Sequence, residues 1–348
     1  MSRALRKFAF IAEEFALRTS AQQLLDRFLI GYASDGEFHH LKDCRVSMHL
    51  PSGGDTALLD QRQKDFGLAC EPGLERALAD ADAAVVVWRG AGAIANDALL
   101  TATLSHLPRG AACFVHGALA SSHAAAQEAV RLAAARDIAL SAGTSTAVTF
   151  RLPEMDVPAG TPLQEALIVV QGAFPEAELD ALEGLLPVIE RRRGGESGVR
   201  HIRRLQGQQV WDAGDRGRWS RALLASAISR SHTPQGDPVR DGRTQDLAGL
   251  GLLPKLAQNP RAWLLEHRDG LRSALLVLDG AIADINFAVR TTSGKILSAQ
   301  LYRPPPPAQE HFSRLAAVIE GFFHTRQSPW PTQRNLLLAA LLESFGKS

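Results

Sequence analysis

The first 145 residues alternate short apolar segments with amphipathic ones, and this alternation constrains the fold more than any other feature. The apolar segments are KFAFIA from Lys7, CRVSMHL from Cys44, AAVVVW from Ala83, AACFVH from Ala111 and IALSA from Ile138. Helical segments, among them TSAQQLLDRFLIGY and SSHAAAQEAVRLAAARD, lie between them. Apolar strands that alternate with helices are typical of a parallel sheet covered on both faces. We therefore predict a doubly wound, Rossmann-like α/β domain over residues 1–147.

The pattern changes after Val148, where strands and helices no longer alternate regularly. LQEALIVVQG predicts a strand, and EAELDALEGLLPVIERRR predicts a helix that Gly194 and Gly195 end. The arginines 191–193 at the end of that helix complement the helix dipole. We prefer this interpretation to a nucleic-acid-binding patch. GVRHIRRLQGQQVWDA is strand-like throughout, and WSRALLASAISRS is helical.

The segment from Ala262 to Arg303 alternates in strand fashion and carries three turn signals, Asp269-Gly270, Asp279-Gly280 and Ser293-Gly294. Closely spaced turns of this kind predict hairpins and an open, mostly antiparallel sheet. Four prolines after Arg303 predict a stiff connector, and two helices finish the chain. We predict an α+β domain over residues 148–348, with the terminal helices packing back toward the first domain.

Composition narrows the class of protein. A chain of 348 residues is long enough for two domains. Its 38 basic and 37 acidic residues create no field that would favour nucleic acid or an anionic membrane. The three cysteines are widely spaced and predict reduced thiols. Neither a signal peptide nor an apolar run of membrane-spanning length is present, so we expect a cytoplasmic protein without nucleic-acid or membrane partners.

A glycine-rich turn follows the strand AAVVVW, with Gly90, Gly92 and Ala95 in the spacing G-x-G-x-x-A. A strand, a glycine turn and a helix in this order are the context of a dinucleotide-binding fingerprint. The turn, however, follows a later strand, and the fingerprint belongs after the first. Two interpretations remain: the small residues allow tight packing, or they line a cleft and contact a cofactor.

The turn after the first strand reads AEEFALRTS and contains no glycine. Side chains therefore occupy the space that a pyrophosphate needs, and Glu13 and Glu14 add negative charge there. The second strand ends in SMHLPSGG, without the acidic residue that holds a ribose. The sequence thus predicts a missing dinucleotide motif.

In the order of its elements the chain resembles the glucose–fructose oxidoreductase / inositol dehydrogenase / rhizopine-catabolism (Gfo/Idh/MocA) family. DAAVVVWRGAGAIANDALLTATL is similar to that family's strand and helix beside the nicotinamide. ACFVHGALASS is similar to the segment that carries Glu-Lys-Pro, and QSPWP is similar to the linker of the closing helices. The resemblance implies NAD or NADP as cofactor and a sugar-like, polyhydroxylated substrate.

At the family's reactive positions this chain has different residues. His116, Gly117 and Ala118 stand in place of Glu-Lys-Pro, so a glycine replaces the lysine. Asp180 and Glu183 stand where the resemblance implies a histidine and an acid. We therefore take His116, Asp180 and Glu183 as catalytic candidates, and expect His116 and Asp180 to face each other across the domain boundary.

Each candidate also has a structural alternative. Asp180 and Glu183 share a helix face and suit acid–base work as a pair, or they belong to a solvated face. His116 and His123 flank a helix start, where an imidazole transfers protons, stabilises the fold or, for His123, faces solvent. Arg151 is a further polar group of the cleft.

Two polar loops complete the candidates. The loop HTPQGDPVRDGRTQD carries Arg243, which either binds substrate hydroxyls over the cleft or lies on a surface. The stretch FHHLKDC holds His39, His40, Asp43 and Cys44, yet adjacent histidines rarely converge on one ion. We interpret it as a surface loop and expect no metal site.

Two functions follow from these residues. The first is an oxidoreductase-like protein acting on a sugar-like substrate with an altered or lost NAD(P) site. The alternative is a non-catalytic binding or scaffold subunit that keeps the fold. The apolar segment SALLVLDGAIADINFAV has more apolar positions than one helical layer needs, so we also expect a homo-oligomer through the second sheet.

Overall fold

The structure is a computed structural model that describes residues 6–34, 36–41, 44–90, 92–242 and 246–347. The chain forms two compact units. The first unit comprises Met1–Val148 and Arg303–Glu343, and the second comprises Thr149–Tyr302 and Ser344–Ser348. No helix in the described part of the chain has the length and apolar character that a membrane span requires.

The elements up to Val148 are β1 (Lys7–Ala12), α1 (Ser20–Ile30), β2 (Tyr32–Ser34), β3 (Glu37–His39), β4 (Arg45–His49), α2 (Thr56–Phe66), β5 (Ala69–Cys70), α3 (Leu74–Leu78), β6 (Ala83–Val87), α4 (Asp97–His106), β7 (Ala112–His116), α5 (His123–Ala135) and β8 (Ala139–Gly143), followed by the 3-10 turn Ser145–Val148. Those up to Tyr302 are β9 (Phe150–Leu152), β10 (Leu163–Val170), α6 (Glu176–Ile189), β11 (Val199–Gln206), α7 (Gln208–Asp215), α8 (Arg221–Ile228), α9 (Asp237–Asp241), α10 (Leu253–Leu256), β12 (Arg261–His267), β13 (Arg272–Val277), β14 (Ile285–Thr291) and β15 (Ile296–Tyr302). The last two are α11 (His311–Thr325) and α12 (Thr332–Lys347).

The first unit is built on a parallel sheet of six strands in the order β5-β4-β1-β6-β7-β8. Its five strand pairs are all parallel. Side chains of β1 point alternately into two cores, Phe8 and Phe10 into one and Ala9 and Ile11 into the other. Burial on both faces explains the continuous apolar strand. The predicted Rossmann-like sheet is confirmed.

The strand order reverses between β1 and β6, and this reversal fixes where a ligand crevice lies. Where the connections that follow two neighbouring parallel strands run to opposite sides of the sheet, a crevice opens at the carboxyl ends of those strands. Here β1 ends at Ala12 and β6 ends at Val87, which pair with each other in register. The residues that follow, Glu13 and Trp88, therefore begin the two walls of the crevice.

Helix α11 completes the first core beside α1. Phe312, Phe322 and Phe323 of α11 join the cluster that contains Phe8. The Phe8 ring lies 5.6 Å from that of Phe323 and 5.1 Å from that of Phe28. Aromatic pairs at these distances add to the hydrophobic stabilisation. The C-terminal segment is thus part of the first unit's core.

The second unit contains a mixed sheet of seven strands in the order β11-β12-β13-β10-β14-β15-β9. Hairpins join β12 to β13 and β14 to β15, at the turn signals Asp269-Gly270 and Ser293-Gly294. The hairpin expected at Asp279-Gly280 is wrong. Strand β10 lies between β13 and β14, parallel to the first and antiparallel to the second. The chain after Asp279 therefore crosses β10 before it re-enters the sheet.

Three local expectations are corrected by packing. The helix predicted through the arginines ends at Ile189, and the N–H of Arg193 instead donates to the Thr161 carbonyl at 3.1 Å. Residues 208–215, predicted as strand, form α7, because Gly207 has φ +55° and ends β11. The apolar side chains of β13 and β14 are buried within the chain rather than exposed, so the exposed patch expected there is absent from these two strands.

Candidate functional site at the carboxyl edge of the parallel sheet

Two carboxylates fill the crevice where the strand order reverses. Glu13 accepts the backbone N–H of Arg89 at 3.1 Å and the Asn96 side-chain amide at 2.8 Å. Glu14 accepts the backbone N–H of Gly90 at 2.7 Å. The turn after β1 therefore binds the turn after β6 through its own side chains.

These contacts decide whether a nicotinamide dinucleotide fits. A bound pyrophosphate takes hydrogen bonds from backbone N–H groups at this edge and from the first helix N-terminus. Here the Arg89 and Gly90 donors already serve carboxylates, and the Thr19 hydroxyl caps α1 by accepting the Gln22 N–H. A dianion would also meet two negative charges. The residues of this crevice do not fit NAD or NADP.

The glycine turn after β6 packs tightly against the turn after β7. Gly92 has φ +89°, and a Cβ on it would lie 2.7 Å from the Gly117 Cα. The Ala118 N–H donates to the Gly92 carbonyl at 2.9 Å. Gly90 has open space around its Cα, and Ala95 is half-buried beside the second core. The close approach of the two turns requires the glycine at position 92, and contact of Gly90, Gly92 or Ala95 with a cofactor stays a prediction.

His116 is the last residue of β7 and is buried. Its ring centroid lies 6.1 Å from that of Phe312, and the Phe312 ring also lies 4.7 Å from that of His311. Burial, together with the charges of Arg303 and Arg27 and the nearby His116, lowers the pKa of His311 to about 3. His311 is therefore neutral at pH 7, and sequence reasoning missed it because 195 positions separate it from His116.

His123 begins α5 and is half-buried, so the alternative in which it faces solvent is wrong. Its backbone N–H donates to the Glu343 carboxylate at 2.9 Å, and its ring Nδ1 lies 3.3 Å from the Leu336 carbonyl. Both contacts connect α5 to α12. A role for His123 in substrate binding stays a prediction.

The remaining candidates lie in the second unit. Arg151 pairs with Asp156 at 3.1 Å. Asp180 is half-buried on α6 and Glu183 is buried, so a fully solvated helix face is wrong for this pair. The approach of His116 to Asp180 stays a prediction because the two residues belong to different units. Arg243 lies outside the described residues.

Glu178 on α6 is a buried carboxylate that the sequence analysis did not single out. It accepts the Arg261 guanidinium at 3.1 Å and the Trp263 indole N–H at 3.3 Å. A buried carboxylate needs such a partner, because an isolated charge in the interior is strongly destabilising. Glu178 therefore anchors α6 to β12.

A second polar network in this unit was also missed. His267 contacts the Ser273 hydroxyl at 2.9 Å through Nε2 and the Glu196 carboxylate at 3.0 Å through Nδ1. Arg192 donates to Glu196 at 3.1 Å and to Asp269 at 2.7 Å. Burial raises the pKa of Glu196, but the hydrogen bonds from His267 and Arg192 outweigh it and lower that pKa to about 2.

The contacts from serine to histidine to carboxylate match those of a nucleophilic triad, but the burial of these side chains does not. Ser273 is 3% exposed and His267 is fully buried, so no substrate carbonyl reaches the hydroxyl. The network joins the end of α6 to the β12–β13 hairpin. Its role is structural.

Phe38 and His39 of the stretch FHHLKDC belong to β3, which pairs with β2. The His39 ring stacks on Tyr32 at 5.2 Å and its Nε2 lies 3.3 Å from the Ser34 carbonyl. Asp43 lies outside the described residues. Within the described ranges no three histidine, cysteine or carboxylate side chains gather as metal ligands would.

Comparisons with known proteins find the fold but no sequence relative. No protein-family profile matches the chain, and no curated protein matches it. Myo-inositol dehydrogenase from Lactobacillus casei, solved with NAD(H) and myo-inositol, is 14% identical with a TM-score of 0.55 over 99% of this chain and 96% of that chain. The apo scyllo-inositol dehydrogenase of that organism is 12% identical with a TM-score of 0.58, covering 99% and 97%.

The chain has the Gfo/Idh/MocA fold. The same match extends to biliverdin reductase from Synechocystis sp. PCC 6803, solved with biliverdin and NADP+, at 11% identity and a TM-score of 0.55 over 98% of each chain. The resemblance seen in the sequence is confirmed at the level of the fold.

Proposed function

We propose that this chain is an oxidoreductase-like protein that acts on a sugar-like, polyhydroxylated compound and has lost its NAD(P) site. The observation that carries the proposal is the occupation of the Arg89 and Gly90 backbone donors by Glu13 and Glu14. The Gfo/Idh/MocA fold supports the substrate class, since four of the matched structures are inositol dehydrogenases.

Without a cofactor site the protein can still bind a polyol, but it cannot transfer a hydride from the polyol to NAD or NADP. A sugar hydroxyl cannot pass a hydride to a dinucleotide that does not bind. His116, His123, Arg151, Asp180, Glu183 and Arg243 are the polar groups that we assign to the polyol. Imidazole, carboxylate and guanidinium groups match the donors and acceptors of vicinal hydroxyls.

A non-catalytic binding or scaffold subunit is the second candidate. It is favoured by Gly117, which stands where the resemblance implies a lysine and which has no room for a side chain beside Gly92. No amine can be restored there without moving the neighbouring turn. Retention of the fold without its cofactor site is what assembly alone would require.

A titration combined with an activity assay separates these candidates. Myo-inositol and scyllo-inositol are titrated into the wild type and into Asp180→Asn, with Asp60→Asn on exposed α2 as the matched control. Saturable heat that Asp180→Asn abolishes and Asp60→Asn retains supports the polyol site and contradicts a pure scaffold. Absence of heat for every polyol supports the scaffold, and formation of reduced nicotinamide at micromolar NAD would contradict both.

Self-association through the second unit's sheet is the remaining part of the proposal. The strands β13 and β14 expose little apolar surface, so we place the interface at an edge strand of this sheet, β11, whose residues Arg200–Arg203 are exposed. Multi-angle light scattering at micromolar concentration tests it. A dimer supports assembly through the sheet edge, and a monomer contradicts it.

A further inference from the structure

A concentrated positive charge lies on the second unit. Residues 199–221, which span β11, α7 and the start of α8, contain six arginines and two aspartates, with no lysine or glutamate. The whole chain is nearly neutral, with 38 basic and 37 acidic residues. The excess of four positive charges in this stretch is therefore local and points to a local partner.

A cavity of about 400 Å³ opens within this stretch. Arg203 from β11 lines one side, and Arg216 and Arg218 from the turn after α7 line the other. An adjoining cavity of about 100 Å³ shares Arg203 and Arg218. The larger volume falls within the roughly 300–1,000 Å³ that small-molecule sites occupy.

The fold leaves three of these arginines without an ion pair. In the described part of the chain, no carboxylate pairs with Arg203, Arg216 or Arg218. The other three arginines of the stretch are engaged: Arg200 pairs with Glu266, Arg221 pairs with Asp215, and Arg204 lies over the Trp263 ring. All three of these arginines line the larger cavity, together with Arg204.

One acidic residue lines the larger cavity and does not neutralise it. The Asp212 carboxylate accepts the Gln208 side-chain amide at 2.9 Å, within the exposed face of α7. Four guanidinium groups, those of Arg203, Arg204, Arg216 and Arg218, against one carboxylate leave a net charge of about three in the wall. Like charges held together repel each other, and an anion that enters the cavity relieves that repulsion.

We infer that this arginine-lined cavity binds a phosphate monoester of sugar size. A phosphate monoester carries between about one and a half and two negative charges at neutral pH, so it offsets most of the positive charge of the wall. Guanidinium forks bind phosphate oxygens in pairs, and the cavity has room for a ring beyond the phosphate. Gln209, which also lines the cavity, supplies an amide for a hydroxyl.

The inference is independent of the proposed function. The cavity lies wholly in the second unit, whereas the filled crevice lies in the first. Polyol binding and phosphate binding are tested with different probes and different variants, so one fails without the other.

The test is calorimetric titration of glucose 6-phosphate into the full chain at low ionic strength, with glucose as the neutral probe. The double variant Arg203→Gln/Arg218→Gln removes two positive charges from the cavity wall. The single variant Arg216→Gln removes one, and it keeps the test valid if the double variant does not fold. Arg131→Gln is the matched control, because Arg131 is an exposed arginine of the first unit that pairs with Glu128.

We expect saturable binding of glucose 6-phosphate and no binding of glucose. Each cavity variant should raise the dissociation constant about tenfold or more, while Arg131→Gln leaves it within about twofold. Inorganic phosphate that competes for the site supports phosphate as the recognised group. Equal weakening by Arg131→Gln, or binding of polyuridylate without any binding of glucose 6-phosphate, would overturn the inference.

Discussion

The Glu14 carboxylate accepts the Gly90 backbone N–H at 2.7 Å, across the point where the strand order of the parallel sheet reverses. In a dinucleotide-binding sheet the same edge offers its N–H groups to phosphates. The protein thus satisfies internally the donors that would bind a cofactor. Our proposal that the NAD(P) site is lost rests on this contact and on that of Glu13 with the Arg89 N–H.

The contact between the two glycine turns predicts an asymmetric effect of alanine. Gly92→Ala places a Cβ 2.7 Å from the Gly117 Cα, so one turn must move. We expect a loss of about 2 kcal/mol or more in the free energy of unfolding, measured in urea. Gly90→Ala is the control: it also has a positive φ but open space, and should lose about 1 kcal/mol. Equal losses would contradict the packing role of Gly92.

The lowered pKa of Glu196 predicts that the free energy of unfolding depends on pH. Its pKa is about 2 in the folded protein against an ordinary value of 4.5, so folding favours the ionised form. The stabilisation is complete above pH 4.5 and disappears as the pH falls toward 2. A pKa difference of this size corresponds to about 3 kcal/mol.

Urea unfolding between pH 7 and pH 3 checks this expectation. Glu196→Gln should lower stability at pH 7 and show a shallower decline on acidification than the wild type. The exposed Glu128→Gln is the control and should follow the wild type at every pH. Parallel curves for Glu196→Gln and the wild type would show that Glu196 is not the titrating group.

A variant of His116 distinguishes a structural role of its imidazole from a contact with the ligand. It is buried beside Phe312, so His116→Ala leaves a void and removes a polar group from its surroundings. We expect a loss of about 1–3 kcal/mol in the free energy of unfolding. Circular dichroism melting measures it, with His324→Ala on the partly exposed face of α11 as control. An unchanged melting temperature together with lost polyol binding would place His116 in the site alone.

The fold was predictable where side-chain periodicity decides it. Apolar strands such as Ala83–Val87 are buried on both faces, so their pattern is independent of distant partners. The position of β10 between β13 and β14 was not predictable, since a turn sequence such as Asp279-Gly280 does not determine which strand its neighbour will pair with. Helix α7 was missed because Gly207 interrupts an otherwise strand-like segment.

The candidate site was predictable in its charge but not in its contacts. The absence of glycine and the presence of Glu13 and Glu14 after the first strand indicated a blocked dinucleotide turn. Their donors at positions 89 and 90 lie 76 residues away along the chain, and only the folded sheet brings them together. The contact of Glu196 with His267 was invisible for the same reason, with 71 residues between the partners.

The most direct test of the lost cofactor site is calorimetric titration of the wild type with NADH and NADPH. The filled crevice predicts dissociation constants above about 1 mM for both, which is less than about 4 kcal/mol of binding free energy. The double variant Glu13→Gly/Glu14→Gly removes the carboxylates and should bind either cofactor more tightly than the wild type. Micromolar affinity of the unmodified protein for NADH or NADPH would contradict the account.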